Sequence, residues 1–277
     1  MLQTRLWTAI AVLPATIAII LWAPNTVFTA FIAILCAWGL YEVIAMTRAS
    51  GFEALVIAII GGISAISVMV SAEGGPGEMN RGGVIWLGLD YSVVVTILML
   101  MLVARIGREG AENFKEWPWS RPWLLFLGAL WVGGLFPYFA LLRNAPGGVP
   151  IIVLMLLLVV ASDSGAYFVG RSLGRVKLLP RVSPNKTVEG AIGGLSACVI
   201  AAVALRPLLA SRWSLGAVVM MALGIGILAQ FGDLAGSAFK RVAGVKDSGW
   251  IFPGHGGLLD RTCSLVFAAA FTYYYYR

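Results

Sequence analysis

The sequence predicts an all-α integral membrane protein, and three observations lead to this fold class. Hydrophobic residues make up 60% of the 277-residue chain and charged residues only 12%, whereas soluble globular domains carry about 45–50% and about 25%. Apolar runs such as 84–104 and 149–161 approach or reach the roughly 20 residues that cross a bilayer core. Lys and Arg also concentrate in alternate connections between these runs. This composition excludes a disordered chain, and three cysteines are too few for a disulfide-stapled secreted domain.

About nine candidate transmembrane helices follow one another between polar breaks. The first begins beside Arg5 and is interpreted as an uncleaved span, because it lacks a convincing small-residue cleavage site. Turn-forming residues at 23–25, 73–77 and 144–148 precede the second, fourth and sixth spans. The predicted spans are 5–22, 26–46, 54–72, 84–106, 121–142, 149–169, 188–208, 214–233 and 258–276.

The basic residues predict the orientation of these spans. With the N-terminus in the cytosol, 15 of the 20 Lys and Arg residues lie in cytosolic segments and 5 lie outside. This bias follows the positive-inside rule, so we expect a multi-pass protein of the cell inner (cytoplasmic) membrane. Nucleic acid is not an expected partner, because the basic residues sit in short loops without a DNA- or RNA-reading motif.

Acidic residues inside or beside the last spans indicate a site. Asp163 lies within the sixth span, Asp233 closes the eighth, and Asp260 opens the ninth after a loop of about 25 residues. Topology brings all three to the cytosolic boundary, where they would form a cage for Mg²⁺. Two alternatives stay open: Asp163 hydrogen-bonds to a neighbouring helix, or the acids form ion pairs with Lys240, Arg241 or Arg261.

The cytosolic loops around these acids combine cations with small and hydroxylated residues, as phosphate-binding loops do. Ser183, Lys186 and Thr187 precede the seventh span, and a helix N-terminus is a favourable seat for phosphate. The loop before the ninth span supplies the remaining candidates, Ser237, Lys240, Arg241, Lys246, Asp247 and His255. The alternative to phosphate binding is that these cations only set the membrane topology. The chain therefore divides into a scaffold of about five helices, 1–145, and a catalytic region of about four, 146–277.

One long motif resembles a known family. The stretch SAFKRVAGVKDSGWIFPGHGGLLDRTCS, residues 237–264, resembles the signature of bacterial phosphatidate cytidylyltransferases, also called CDP-diglyceride synthetases. The blocks SDSGAYFVGRSLGR, SPNKTVEG and QFGDLAGS upstream of it are also similar to that family. The detailed resemblance covers about residues 160–264.

The resemblance implies a reaction in which CTP and phosphatidate give CDP-diacylglycerol and pyrophosphate. It implies Mg²⁺, with a second, monovalent cation left open, and a homodimer in contact with membrane lipids. Asp163, Asp233 and Asp260 are the expected metal ligands. The expected catalytic residues besides Asp233 and Asp260 are Lys240, Arg241, Lys246, Asp247, His255 and Arg261, and the expected substrate-binding residues are Asp163, Ser183, Lys186, Thr187 and Ser237.

One position departs from the family signature. Cys263 stands where that signature has a second aspartate one helical turn after Asp260, and a thiol is a poor ligand for Mg²⁺. The alternative functions are therefore a weakened homologue that binds CTP or lipid without full turnover, and an ion-coupled transporter with intramembrane acids. A CDP-alcohol phosphotransferase is disfavoured, because its hallmark aspartate motif is absent.

Overall fold

A computed structural model describes residues 14–70, 91–118, 120–206, 213–251 and 256–277, which form a bundle of helices and one small hairpin. The described part of the first helix, α1, covers 14–22. The other elements are α2 (Asn25–Thr47), α3 (Phe52–Val70), α4 (Tyr91–Glu109), α5 (Ala111–Lys115), α6 (Ser120–Leu135), α7 (Pro137–Asn144), α8 (Gly148–Leu173), β1 (Lys177–Leu179), β2 (Ser183–Thr187), α9 (Val188–Leu205), α10 (Leu215–Ala243) and α11 (Leu259–Tyr276).

The bundle is that of a multi-pass membrane protein. Within the described residues, five segments are long and apolar enough to cross a bilayer: Asn25–Thr47, Ser120–Asn144, Gly148–Leu173, Val188–Leu205 and Leu215–Ala243. The predicted count of nine spans and the cytosolic N-terminus stay predictions. His255 lies outside the described residues.

The fifth predicted span is two helices rather than one. α6 ends at Leu135 and α7 begins at Pro137, because proline has no N–H to donate to the preceding turn and its ring collides with that turn. The backbone tightens across the break, where Phe139 N–H donates to the Phe136 carbonyl oxygen at 3.1 Å. The two helices together still cover the predicted range.

The prediction that Asp233 closes the eighth span is wrong. α10 continues for ten more residues to Ala243, because an apolar face of Leu234, Ala238 and Val242 continues to pack inside the bundle. Gly244 caps the helix, and its φ of 74° is the left-handed conformation that glycine adopts at helix C-termini. Lys240 and Arg241 therefore lie on the last turn of a helix and not in a loop.

The connection between α8 and α9 folds into an antiparallel hairpin, which the sequence did not predict. Lys177 pairs with Thr187 across the two strands. Glu189 at the start of α9 accepts hydrogen bonds from the backbone N–H groups of Arg175, at 3.1 Å, and Val176, at 3.2 Å. These bonds hold the hairpin against the N-terminus of α9, while the membrane-crossing part remains all-α as predicted.

Glycines let the helices around the candidate site approach closely. A side chain at Gly193 of α9 would collide with Val169 of α8, and one at Gly232 of α10 would collide with the carbonyl oxygen of Cys263 on α11. Gly236 lies on the same face as Gly232, one turn on, and its side-chain position is 3.0 Å from Cys263 Cβ. Such small-residue contacts are typical of membrane helix pairs, and here they bring α10 and α11 into register.

Candidate active site

A half-buried glutamine joins the three helices that carry the first part of the site. Gln230 on α10 donates from Nε2 to the carbonyl oxygen of Ala191 on α9 at 3.0 Å. The same nitrogen lies 3.5 Å from the hydroxyl of Ser162 on α8, which is fully buried. Asp163 follows Ser162 directly, and Asp233 lies one helical turn after Gln230. The glutamine thus holds the two aspartates at one level of the bundle.

Lys186 completes this part of the site from the hairpin. Its Nζ lies 2.7 Å from Asp233 Oδ2, and 48% of the Asp233 side chain is exposed. Asp163 lies within electrostatic range of both Asp233 and Lys186. The hairpin therefore supplies the cation that balances the acids of α8 and α10.

Asp260 forms the second part of the site in the first turn of α11. Its Oδ1 accepts a hydrogen bond from Lys240 Nζ at the end of α10. Its Oδ2 accepts from the backbone N–H groups of Ser248, at 2.8 Å, and Gly257, at 2.9 Å, and lies 3.0 Å from the Ser248 hydroxyl. Only 8% of the Asp260 side chain is exposed. The ion-pair alternative is thus confirmed for Asp260, with Lys240 as the partner.

Cys263 lies between these two ion pairs. Its side chain is buried, and Sγ is 4.0 Å from Asp233 Oδ1. The thiol lies within electrostatic range of Asp233, Lys240, Lys186 and Asp260. We refer to Asp163, Lys186, Asp233, Lys240 and Asp260 as the charged cluster. It carries three acids and two lysines from α8, the hairpin, α10 and α11.

The predicted residues of the hairpin have mainly supporting positions. Thr187 is buried, and its hydroxyl oxygen caps α9 by accepting a hydrogen bond from the backbone N–H of Gly190 at 3.1 Å. Ser183 is half-buried at the start of β2. Arg241 donates from Nε to the carbonyl oxygen of Val182 at 3.4 Å, which ties the hairpin to the last turn of α10.

The remaining predicted residues surround the second ion pair. Ser237 is half-buried on α10, and Arg261 is exposed next to Asp260. Lys246 and Asp247 are exposed in the connection between α10 and α11. The structure places neither of these two in the ion pairs of the described residues.

The donor set suits a cation that shares its ligands with a substrate. Among the residues that the structure describes, no group of three or more His, Cys, Asp or Glu side chains lies close enough to enclose a metal ion. Mg²⁺ is usually bound by one or two carboxylates together with substrate phosphates. Asp163 and Asp233 offer two such carboxylates, whereas the oxygens of Asp260 are occupied by Lys240, Ser248 and Gly257.

Sequence reasoning missed a buried acid from the N-terminal half. Glu42 on α2 is 1% exposed and accepts hydrogen bonds from the backbone N–H groups of Leu258, at 2.7 Å, and Leu259, at 2.9 Å. It also accepts from the Ser248 hydroxyl at 2.8 Å. The available signal was a charge inside an apolar span, the same signal that pointed to Asp163.

Comparison with known proteins adds independent findings. The cytidylyltransferase family matches residues 3–277. A phosphatidate cytidylyltransferase of Brucella suis is 36% identical over an alignment of 278 positions, which covers 98% of this chain and 92% of that protein. A phosphatidate cytidylyltransferase of Bacillus subtilis is 42% identical over 149 residues, 53% of this chain and 55% of that protein. An uncharacterized protein of Escherichia coli K12, YnbB, is 45% identical over 134 residues, 48% of this chain and 45% of that protein.

Proposed function

Because the chain belongs to the cytidylyltransferase family, we propose that it transfers the cytidylyl group of CTP to phosphatidate. In this reaction a phosphate oxygen of phosphatidate attacks the α-phosphorus of CTP. The new P–O bond forms as the bond from the α-phosphorus to the bridging oxygen breaks, and pyrophosphate leaves with that electron pair. The products are CDP-diacylglycerol and pyrophosphate. The charged cluster carries the proposal, because it joins in space the same sequence blocks that resemble the family.

The two lysines are the groups that this chain offers to phosphate. Each ammonium is now paired with a carboxylate, Lys186 with Asp233 and Lys240 with Asp260. A triphosphate is a stronger multivalent partner for them, and a positioned ammonium stabilises the charge that develops on departing pyrophosphate. Arg241 and Lys246 stand near enough in sequence to add charge at the same end of α10.

The acids are the groups that would hold a cation. Asp163 and Asp233 would hold Mg²⁺, which would neutralise negative charge on the phosphate oxygens when bound. Asp260 would act mainly by holding Lys240 and the backbone of 248 and 257 in place. Ser183, Ser237, Asp247, His255 and Arg261 stay proposed substrate or catalytic contacts.

The proposal includes the setting of the site. We place it at the cytosolic boundary of the inner membrane, where CTP arrives from water and phosphatidate presents its phosphate at the headgroup level. A homodimer is part of the same proposal. The bias of basic residues toward one side of the predicted spans supports this orientation.

The test is turnover by the purified protein in detergent with phosphatidate. With CTP and Mg²⁺ we expect CDP-diacylglycerol and an equimolar amount of pyrophosphate. With ATP in place of CTP, or after a chelator removes Mg²⁺, we expect much less of both products. Asp233→Asn and Lys186→Met should each lower kcat by at least about 100-fold, because the first removes a proposed Mg²⁺ ligand and the second removes a cation aimed at the reacting phosphates. Glu112→Gln, which changes an exposed acid of α5 in the same way, should keep wild-type turnover.

Two outcomes would overturn the proposal at different levels. A wild-type protein that forms no CDP-diacylglycerol would refute the activity. Wild-type turnover by Asp233→Asn would refute the role of the charged cluster while leaving the activity standing.

A binding-only homologue is the second candidate, and one observation favours it. Cys263 lies 4.0 Å from Asp233 Oδ1, where the family signature has a carboxylate. Such a protein would bind CTP or phosphatidate with little pyrophosphate release. Restoring the aspartate separates the two candidates.

A further inference from the structure

We propose that Glu42, on a helix outside the sequence blocks that resemble the family, is a positioning residue for the charged cluster. It would hold Ser248 and the N-terminus of α11 so that Asp260 meets Lys240. The inference rests on the proposed function for its readout, but the contacts of Glu42 itself are not used by that function.

The first support is the way in which the Glu42 charge is satisfied. The side chain is 1% exposed, and the ion pairs found among the described residues do not include it. Its oxygens instead accept from Leu258 N–H and Leu259 N–H at the start of α11. The N-terminus of a helix carries partial positive charge and free N–H groups, so α11 and Glu42 stabilise each other.

The second support is a short connection from Glu42 to the charged cluster. Ser248 Oγ lies 2.8 Å from Glu42 Oε2 and 3.0 Å from Asp260 Oδ2. A hydroxyl carries one hydrogen, so it donates to one of these carboxylates at a time. The Ser248 backbone N–H also donates to Asp260. A change at Glu42 therefore reaches Asp260 through a single residue.

The third support is the close fit of two glycines around Glu42. A methyl group at Gly249 would lie 2.7 Å from Glu42 Oε1, 3.0 Å from Cδ and 3.3 Å from Cγ. A methyl group at Gly257 would lie 2.6 Å from both carboxylate oxygens. The carboxylate cannot swing aside cheaply, because several hydrogen bonds hold it. Both glycines belong to the stretch 237–264 that resembles the family. Glu42, about 200 residues away in the chain, therefore leaves no room for a side chain at these two positions of the motif.

The experiment is a double-mutant cycle between Glu42 and Gly249, scored as kcat and KM for CTP per folded, monodisperse protein. Glu42→Ala should lower kcat by about 10- to 100-fold, since displacement of a reacting group by about 1 Å can cost that much. KM for CTP should stay within about threefold, because the phosphate-binding lysines remain. Gly249→Ala alone should lower kcat by about tenfold, and adding it to Glu42→Ala should cost less than about twofold more, because its collision partner is gone.

Matched controls separate positioning from general stability. Cys36→Ala truncates another buried side chain of α2, whose thiol donates to the Val132 carbonyl oxygen, and should leave kcat per folded protein unchanged. Gly62→Ala adds a methyl group where nothing lies within 4 Å and should also be silent. If Glu42→Ala does not accumulate as folded protein, Glu42→Asp takes its place in the cycle, because it retracts the carboxylate by one methylene.

The outcomes are distinct from those of the proposed function. An inactive wild type would overturn the function itself. An active wild type with unchanged kcat in the Glu42 variants, or an additive cycle with Gly249→Ala, would overturn the positioning role alone.

Discussion

Replacing Cys263 with aspartate should lower the Mg²⁺ concentration that gives half-maximal activity. The new carboxylate would lie about as far from Asp233 as Sγ does, 4.0 Å. Two unit charges at that distance repel by about 4 kcal/mol at an effective dielectric constant of about 20. The Asp233 side chain is 48% exposed, so we halve this to about 2 kcal/mol for solvent screening. A bound cation would remove this repulsion, and about 2 kcal/mol corresponds to a roughly 30-fold lower Mg²⁺ concentration for half-maximal activity.

The assay is pyrophosphate release at a series of Mg²⁺ concentrations, with the apparent Tm measured in parallel with and without the ion. Without Mg²⁺ the Cys263→Asp variant should melt below the wild type, and saturating Mg²⁺ should restore its Tm. Cys263→Asn has the same shape without the charge and should keep the wild-type Mg²⁺ dependence. Identical Mg²⁺ curves for the Asp and Asn variants would refute the placement of a cation beside Asp233.

Two further predictions concern the stability of the site. Lys240→Met should lower the unfolding free energy by about 1–3 kcal/mol, because it leaves the 8% exposed Asp260 without its cation, although the N–H groups of Ser248 and Gly257 still face it. The apparent Tm checks this, and a Tm as high as that of Lys115→Met, which breaks an exposed pair, would contradict it. Thr187→Ala should lower stability by about 1 kcal/mol through loss of the α9 cap, and Thr187→Ser should restore it; equal Tm values for the Ala and Ser variants would show that the cap contributes nothing.

The shared depth of Asp163 and Asp233 in the bundle follows from the order of the helices, which the sequence reveals. Apolar runs set the order of the helices, and short connections make neighbours antiparallel. The acids of α8 and α10 are therefore expected at the same depth of the bundle. The closeness itself depends on glycines and on Gln230, whose bonds to Ser162 and Ala191 could not be paired from the sequence.

The errors have an equally physical origin. Average hydropathy falls where charged residues begin, so the predicted eighth span ends at Asp233. The helix itself continues, because one face of α10 remains buried as far as Val242. The partner of Asp233 was not predictable either, because Lys186 reaches it only through the direction of the β1–β2 hairpin. The role of Glu42 was the hardest to predict. Its carboxylate oxygens accept from backbone N–H groups more than 200 residues away in the chain, and every residue except proline has such a group, so the sequence does not indicate which ones Glu42 contacts.

The pairing of acids with lysines explains how the charged cluster exists before any substrate binds. A carboxylate with little exposure, such as Asp260, is costly unless a cation or several N–H groups face it, and Lys240 and the backbone of 248 and 257 meet that requirement. Asp233 is more exposed and has one lysine. The same lysines can then turn to the phosphates of a nucleotide only if the acids gain another cation or remain held by N–H groups. Asp260 meets the second condition and Asp233 does not, so we expect the part of the site around Asp233 to depend on an added cation, and the part around Asp260 to depend on Glu42 and Ser248.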